Sequence, residues 1–194
     1  TTTQVGVLTT TSLAALTTTQ LNALTTTDVA ALSTLQVGNL TATQISGLTT
    51  TNFAVLTTTQ VGALTTTQIK AITTTEIGVI STTQVGAMTT VQIGVLTDSQ
   101  LDSLTTTAIA AFSTTQIGAL SKTQIGFLST TASAALSTTQ IATLSSTQVQ
   151  GFSTQQLNAM TTTEIVHFST TQVANLTTTQ VKGFSTTVAG ALST

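Results

Sequence analysis

Thr65-Thr66-Thr67-Gln68-Ile69-Lys70-Ala71-Ile72 is followed at once by Thr73-Thr74-Thr75-Glu76-Ile77-Gly78-Val79-Ile80, and this doublet decides the fold. The second octapeptide restates the first, position by position. The same unit runs from Thr1 to Leu192, 24 times without insertion or deletion, and Ser193 and Thr194 open another. A short fixed period means that each unit buries its apolar face against other units, so the chain reads as a solenoid or array rather than as one or two ordinary domains.

Numbered within the repeat, position one is Thr or Ser throughout, and position four is Gln or Glu in 18 repeats. Position five is Val, Ile, Leu or Phe in 22 repeats, the exceptions being Ser133 and Ala189. Position seven is mostly small, and position eight is always Leu, Ile, Met or Phe. The spacing Ser/Thr-x-x-Gln/Glu is a capping box: the hydroxyl of position one accepts from the amide of position four, and the Gln side chain returns the favour to the amide of position one. Position eight of the preceding repeat and position five then form the apolar staple across the helix start. Leu64 and Ile69 flank Thr65 and Gln68 in this way. Either signal alone is weak, but the pair recurs along the chain.

The few charges agree with a helix start at each hydroxyl cluster. Asp28, Glu76 and Glu164 at position four and Asp98 at position two fall in the first turn, while Lys70 and Lys182 at position six fall near the end. That is the polarity the helix dipole favours. Lys122 at position two and Asp102 at position six break the trend. No charge falls at position five or eight, which marks those two as the core.

One continuous helix is excluded by geometry, because eight residues at ~100° each overshoot two turns by ~80° and the apolar stripe would wander round the surface. The helix must restart in every repeat, giving about one and a half to two turns and ~9 Å per unit. Isolated helices this short are unstable in water, so stacking is obligatory. Small residues at positions six and seven let successive coils approach closely. With no superperiod of two or three repeats, the units are expected to be equivalent under one screw operation, with the number per coil unspecified. The expected class is therefore an all-α solenoid of short capped helices. The rival is a β-solenoid, since Thr, Val and Ile favour strands. Strands require period-two alternation, whereas these core positions are separated by three and then five residues.

Composition narrows the function. Charged residues make up 4% of the chain and the net charge is -2, so no basic patch exists to neutralise phosphates or to anchor on an anionic membrane. Nucleic acid and membrane insertion are therefore not expected. The absence of cysteine excludes a disulfide framework and thiolate metal sites. No apolar run approaches the ~20 residues of a membrane span. Hydrophobicity is too high and net charge too low for a disordered tract. The in-register start and stop suggest a window of a longer array.

Residues that could carry chemistry are few. His167, the only histidine, stands three residues after Glu164, but no second ligand set accompanies it and Glu164 already fills a capping position. Asp98 and Asp102 could mimic a carboxylate pair, yet they are expected on opposite sides of one repeat and have no nearby His or Lys. Ser133 and Ser145 lack a base partner, and Gly at position six does not follow a phosphate-loop spacing. Neither catalytic nor cofactor nor metal-binding residues are expected, and the chain is not expected to be an enzyme. The threonine ranks are the one surface that could meet ice, sugar or a crystalline polymer; otherwise their hydroxyls cap helices or solubilise the surface. Thr runs are also candidate O-glycosylation sites.

The unit Leu-Thr-Thr-Thr-Gln-Val/Ile-Gly/Ala-Ala resembles the Thr/Gln-rich octapeptide arrays of very large bacterial surface and adhesin-like secreted proteins. The resemblance covers the whole chain and rests on the repeat unit alone. It implies a spacer or stalk rather than a catalyst, and it supplies no functional residues. Uncovered apolar ends and low charge add the expectation of self-association into fibres, in an extracellular or cell-surface setting.

Overall fold

The structure, a computed structural model, describes residues 1–192; Ser193 and Thr194, which begin a further repeat in the sequence, lie outside the described residues. Among the described residues each octapeptide carries one helix of four to six residues, and there is no strand. The solenoid of short capped helices is thus the architecture, and the β-solenoid is not. The helices divide between two compact units, Thr1–Leu96 and Thr97–Thr194. The first holds α1 (Thr2–Gly6) to α12 (Thr90–Gly94), and the second α13 (Asp98–Ser103) to α24 (Thr186–Ala191). Repeat and helix numbers coincide.

Each helix begins as the residue types dictate. In α9 (Thr66–Ala71) the N-cap Thr65 is extended, with φ -71° and ψ 159°. Its Oγ1 accepts from the amide of Gln68 at 3.2 Å, and its own amide donates to Gln68 Oε1 at 2.7 Å. Where position four is Asn52, Ala108, Ala132 or Val188, the hydroxyl half of the box persists and the return bond is lost.

The helices run four to six residues, so the longest reach the expected one and a half turns and the shortest fall below it, and each ends before position eight. In α9 the C-cap Ile72 returns to extended backbone at φ -54° and ψ 127°. No described residue has positive φ. A helix very commonly stops by passing through a left-handed Gly; here helices such as α8, α9 and α11 switch straight from helical to extended, and others such as α5 end on a right-handed cap residue. Gly accordingly stands at positions six and seven and not as a left-handed stop at position eight.

Positions five and eight form the core. Ile69, Ile77, Ile93, Ile117 and Ile125 are completely buried, and Leu64, Ile72 and Leu120 nearly so. Burying such a side chain contributes roughly 1.5–3 kcal/mol, and all repeats but those of Ser133 and Ala189 offer the same apolar pair to the core of their unit.

Successive coils meet at two steps. In the first unit, repeats three apart are in contact: α5 (Thr34–Gly38) packs on α8 (Thr58–Ala63), and α8 on α11 (Thr82–Ala87). The second unit repeats the step, α16 (Lys122–Phe127) packing on α19 (Ser146–Val149) and α17 (Thr130–Ser133) on α20 (Thr154–Ala159). Hydrogen bonds in both units link repeats four apart, as described below. Each coil therefore takes between three and four repeats, so that every repeat rests on two neighbours in the coil beneath.

The small residues of positions six and seven sit where these coils cross. A Cβ on Gly38 would lie 3.2 Å from the carbonyl oxygen of Ala63, and one on Gly62 3.3 Å from that of Ala87. At Gly151 a Cβ would be driven into the carbonyl oxygen of Lys122, three repeats earlier. Gly151→Ala must push α19 away from α16, and thermal or urea denaturation should show a loss of about 1–3 kcal/mol. Unchanged stability would mean that the close approach is slack.

Candidate functional site

The most organised chemistry lies at position four. Gln68 Oε1 is spent on the helix cap, and its Nε2 points the other way, to the coil beneath. There it donates to the carbonyl oxygens of Val37 at 2.9 Å and Leu40 at 2.7 Å. Those acceptors are positions five and eight of the repeat four earlier. Gln44 makes the same pair of bonds to Leu13 and Leu16, and Gln92 to Val61 and Leu64. In the second unit Gln148 reaches Ile117 and Leu120, Gln172 reaches Ile141 and Leu144, and Gln180 reaches Val149 and Phe152.

Each such Gln is a clip. One amide side chain starts its own helix and donates to two carbonyls at the end of another: position five, which also accepts the amide of position eight, and position eight itself. The clips are buried: Gln60 is 1% exposed and Gln68 2%. Sequence reasoning found the capping half and missed the clip. The signal was present, since a capping box accepts Glu as well as Gln, yet Gln outnumbers Glu 16 to 2 at this position. Only an amide has the protons to donate downward.

Glu76 is the clearest exception. Its Oε2 accepts from the amide and hydroxyl of Thr73, both at 2.7 Å. Its Oε1 occupies the place of the Gln Nε2 and is buried without a partner, where the register puts the carbonyls of Ile45 and Leu48. Burial pushes the Glu76 carboxyl above its ordinary value of 4.5, against the pull of the Thr73 amide and hydroxyl.

Position six adds a lighter tie. Asn22 Nδ2 donates to Gly47 O at 2.6 Å, and its Oδ1 accepts from the amide of Thr49 at 3.0 Å. Asn158 repeats the pattern with Gly183 and Ser185, both at 2.9 Å.

The residues singled out for chemistry fall as follows. His167 is exposed, and its Nδ1 lies 2.7 Å from Thr163 O, so the ring is a donor to its own helix turn. Glu164 instead caps Thr161, whose amide donates to Oε2 at 2.6 Å. Asp98 and Asp102 are not on opposite sides of their repeat. α13 is one helix across both, residues four apart share a face, and the two line one shallow cleft with Ser99, Gly126 and Phe127. Ser145 caps its helix with Gln148, and Ser133 is buried with a hydroxyl that has no partner.

Among the described residues no three His, Cys, Asp or Glu come together in a way that could hold a metal ion. No described helix is long and apolar enough to cross a membrane. The threonines of positions two and three line the outside of the coils and are mostly exposed.

What these features define is a tandem-repeat protein of the all-α solenoid class, whose recurrent position-four side chains hold repeat to repeat. The ALTTAQ repeat family model matches residues 29–66, 66–98, 96–130 and 151–186, and the chain belongs to that family. No curated protein matches the chain.

Proposed function

We propose that the chain is a non-catalytic structural element, a rod or stalk segment or the subunit of an extracellular filament at a bacterial surface. The observation that supports this reading is the Gln clip. Its two acceptors stand at a constant separation in sequence, so the same step can be taken any number of times without a new kind of contact. The buried polar groups serve packing, and the surface offers hydroxyls and methyls with few charges. A net charge of -2 over 194 residues leaves little repulsion between copies, which favours lateral association into fibres.

Electron microscopy of the native material tests the proposal. Uniform fibres whose axial spacing indexes on the octapeptide would make the chain a filament subunit, and isolated rods would make it a stalk segment. Compact monodisperse particles at high concentration would exclude both.

The exposed threonines support a second reading, in which the outer ranks meet ice or carbohydrate. Thermal hysteresis or glycan binding that disappears when position-two and position-three Thr are enlarged would favour it. Silence in both assays would remove it.

A further inference from the structure

Repeat 17, residues 129–136, combines three departures from the repeat pattern. Ala132 stands at position four, so nothing donates from this repeat to the carbonyls of Leu101 and Leu104 in repeat 13. Four repeats later position four is Glu164, whose carboxylate caps Thr161 and has no amide to offer the carbonyls of Ser133 and Leu136. The clip is thus absent both below and above. The third departure is in the core, where Ser133 replaces the usual Ile or Val and buries an unpartnered hydroxyl at 0% exposure. The neighbours do not share these defects. Repeat 18 is clipped below by Gln140 to Phe112 at 2.7 Å and above by Gln172, and repeat 19 below by Gln148 and above by Gln180. α17 packs on α20, but its residues Thr130, Thr131, Ala132 and Ser133 include no large apolar side chain. The helix itself is four residues long.

We propose that repeat 17 is a built-in yield point, the place where the interior of the second unit, as distinct from repeats 22–24, opens first by local unfolding while repeats 18 and 19 stay closed. Local stability follows buried apolar contact and protected hydrogen bonds, and repeat 17 is short of both. In an array under axial load such a repeat would let out chain before the flanking coils separate. This inference does not depend on the surface-stalk reading, since it concerns opening in the isolated chain.

Hydrogen exchange of the intact chain, followed by mass spectrometry, tests it. The protected amides of residues 133–136 should exchange at least about tenfold faster than the matching amides of residues 149–152. Glu164→Gln, which is nearly isosteric and cannot clash, should slow exchange in repeat 17 severalfold by restoring the upper clip, and leave repeat 19 unchanged. Ala132→Gln with Ser133→Ile should slow it further. The converse variant, Gln148→Ala, should make repeat 19 exchange severalfold faster, towards repeat 17 but short of it, because Gln180 still clips it from above. Equal rates in repeats 17 and 19 of the unaltered chain would overturn the proposal. So would a Glu164→Gln variant that folds but leaves repeat 17 unprotected.

Discussion

Gln68→Ala is expected to destabilise the first unit by about 3–5 kcal/mol, far more than an ordinary polar-to-alanine change. The substitution removes the bond from the Thr65 amide, leaves the Leu40 carbonyl without its donor and leaves the Val37 carbonyl with backbone amides alone. Each buried polar group left unmade costs about 1–3 kcal/mol. Both carbonyls end a helix in a dry inter-coil seam, where Gln68 itself is 2% exposed. Gln68→Glu separates the two halves of the role. It retains the cap but turns the downward donors into an acceptor facing two acceptors, so at neutral pH it should cost nearly as much as alanine. Chemical denaturation of the three proteins at one pH is sufficient. A loss below about 1 kcal/mol for the alanine variant would mean that water replaces the clip without penalty.

The second large effect runs the other way. Glu76→Gln should stabilise the protein by about 2–3 kcal/mol at neutral pH, because the new amide would donate to the two carbonyls that the carboxylate now faces. The pH dependence has a definite sign. In the folded chain burial raises the Glu76 pKa above the ordinary 4.5, so the folded state holds this proton more tightly than the unfolded one. The stabilisation linked to that proton is complete below the ordinary value and is lost as pH rises through the raised one. Between neutrality and the ordinary carboxylate range, acidification should therefore strengthen the native protein relative to Glu76→Gln, and their melting temperatures should converge. Parallel curves across that range would show that Glu76 is solvated after all.

The sequence disclosed the helix starts and the core because both are written in side-chain identity. Thr65, Gln68, Leu64 and Ile69 can be read as cap and staple with no structure at hand. The coil count could not be read in this way. Gln68 finds its partners at Val37 and Leu40 through backbone carbonyls, which every residue carries, so no residue type marks the acceptor. Helix length was legible at its upper end, since six-residue helices such as α9 reach the expected one and a half turns, but that others such as α17 stop sooner was not. Asp98 and Asp102 were placed apart by treating the repeat as two sides, whereas α13 runs through both. For the candidate site, the sequence correctly kept His167 and Glu164 in separate roles, since Glu164 serves the cap as its spacing implied. It did not reveal Ser133 and Glu164 as parts of one weak place, because the link between them passes through a four-repeat step that only the fold defines.

The clip has a genetic consequence. Each Gln recognises its acceptors by counting back a set number of repeats and never by their identity, so removing or duplicating one whole octapeptide leaves every remaining Gln with a carbonyl pair to find. Slippage or unequal crossing-over in steps of eight codons would therefore lengthen or shorten the protein without a folding penalty at the junction, whereas a single-codon change would displace every clip that spans it. Length in such a gene can drift freely between lineages, while the reading of each octapeptide stays under selection.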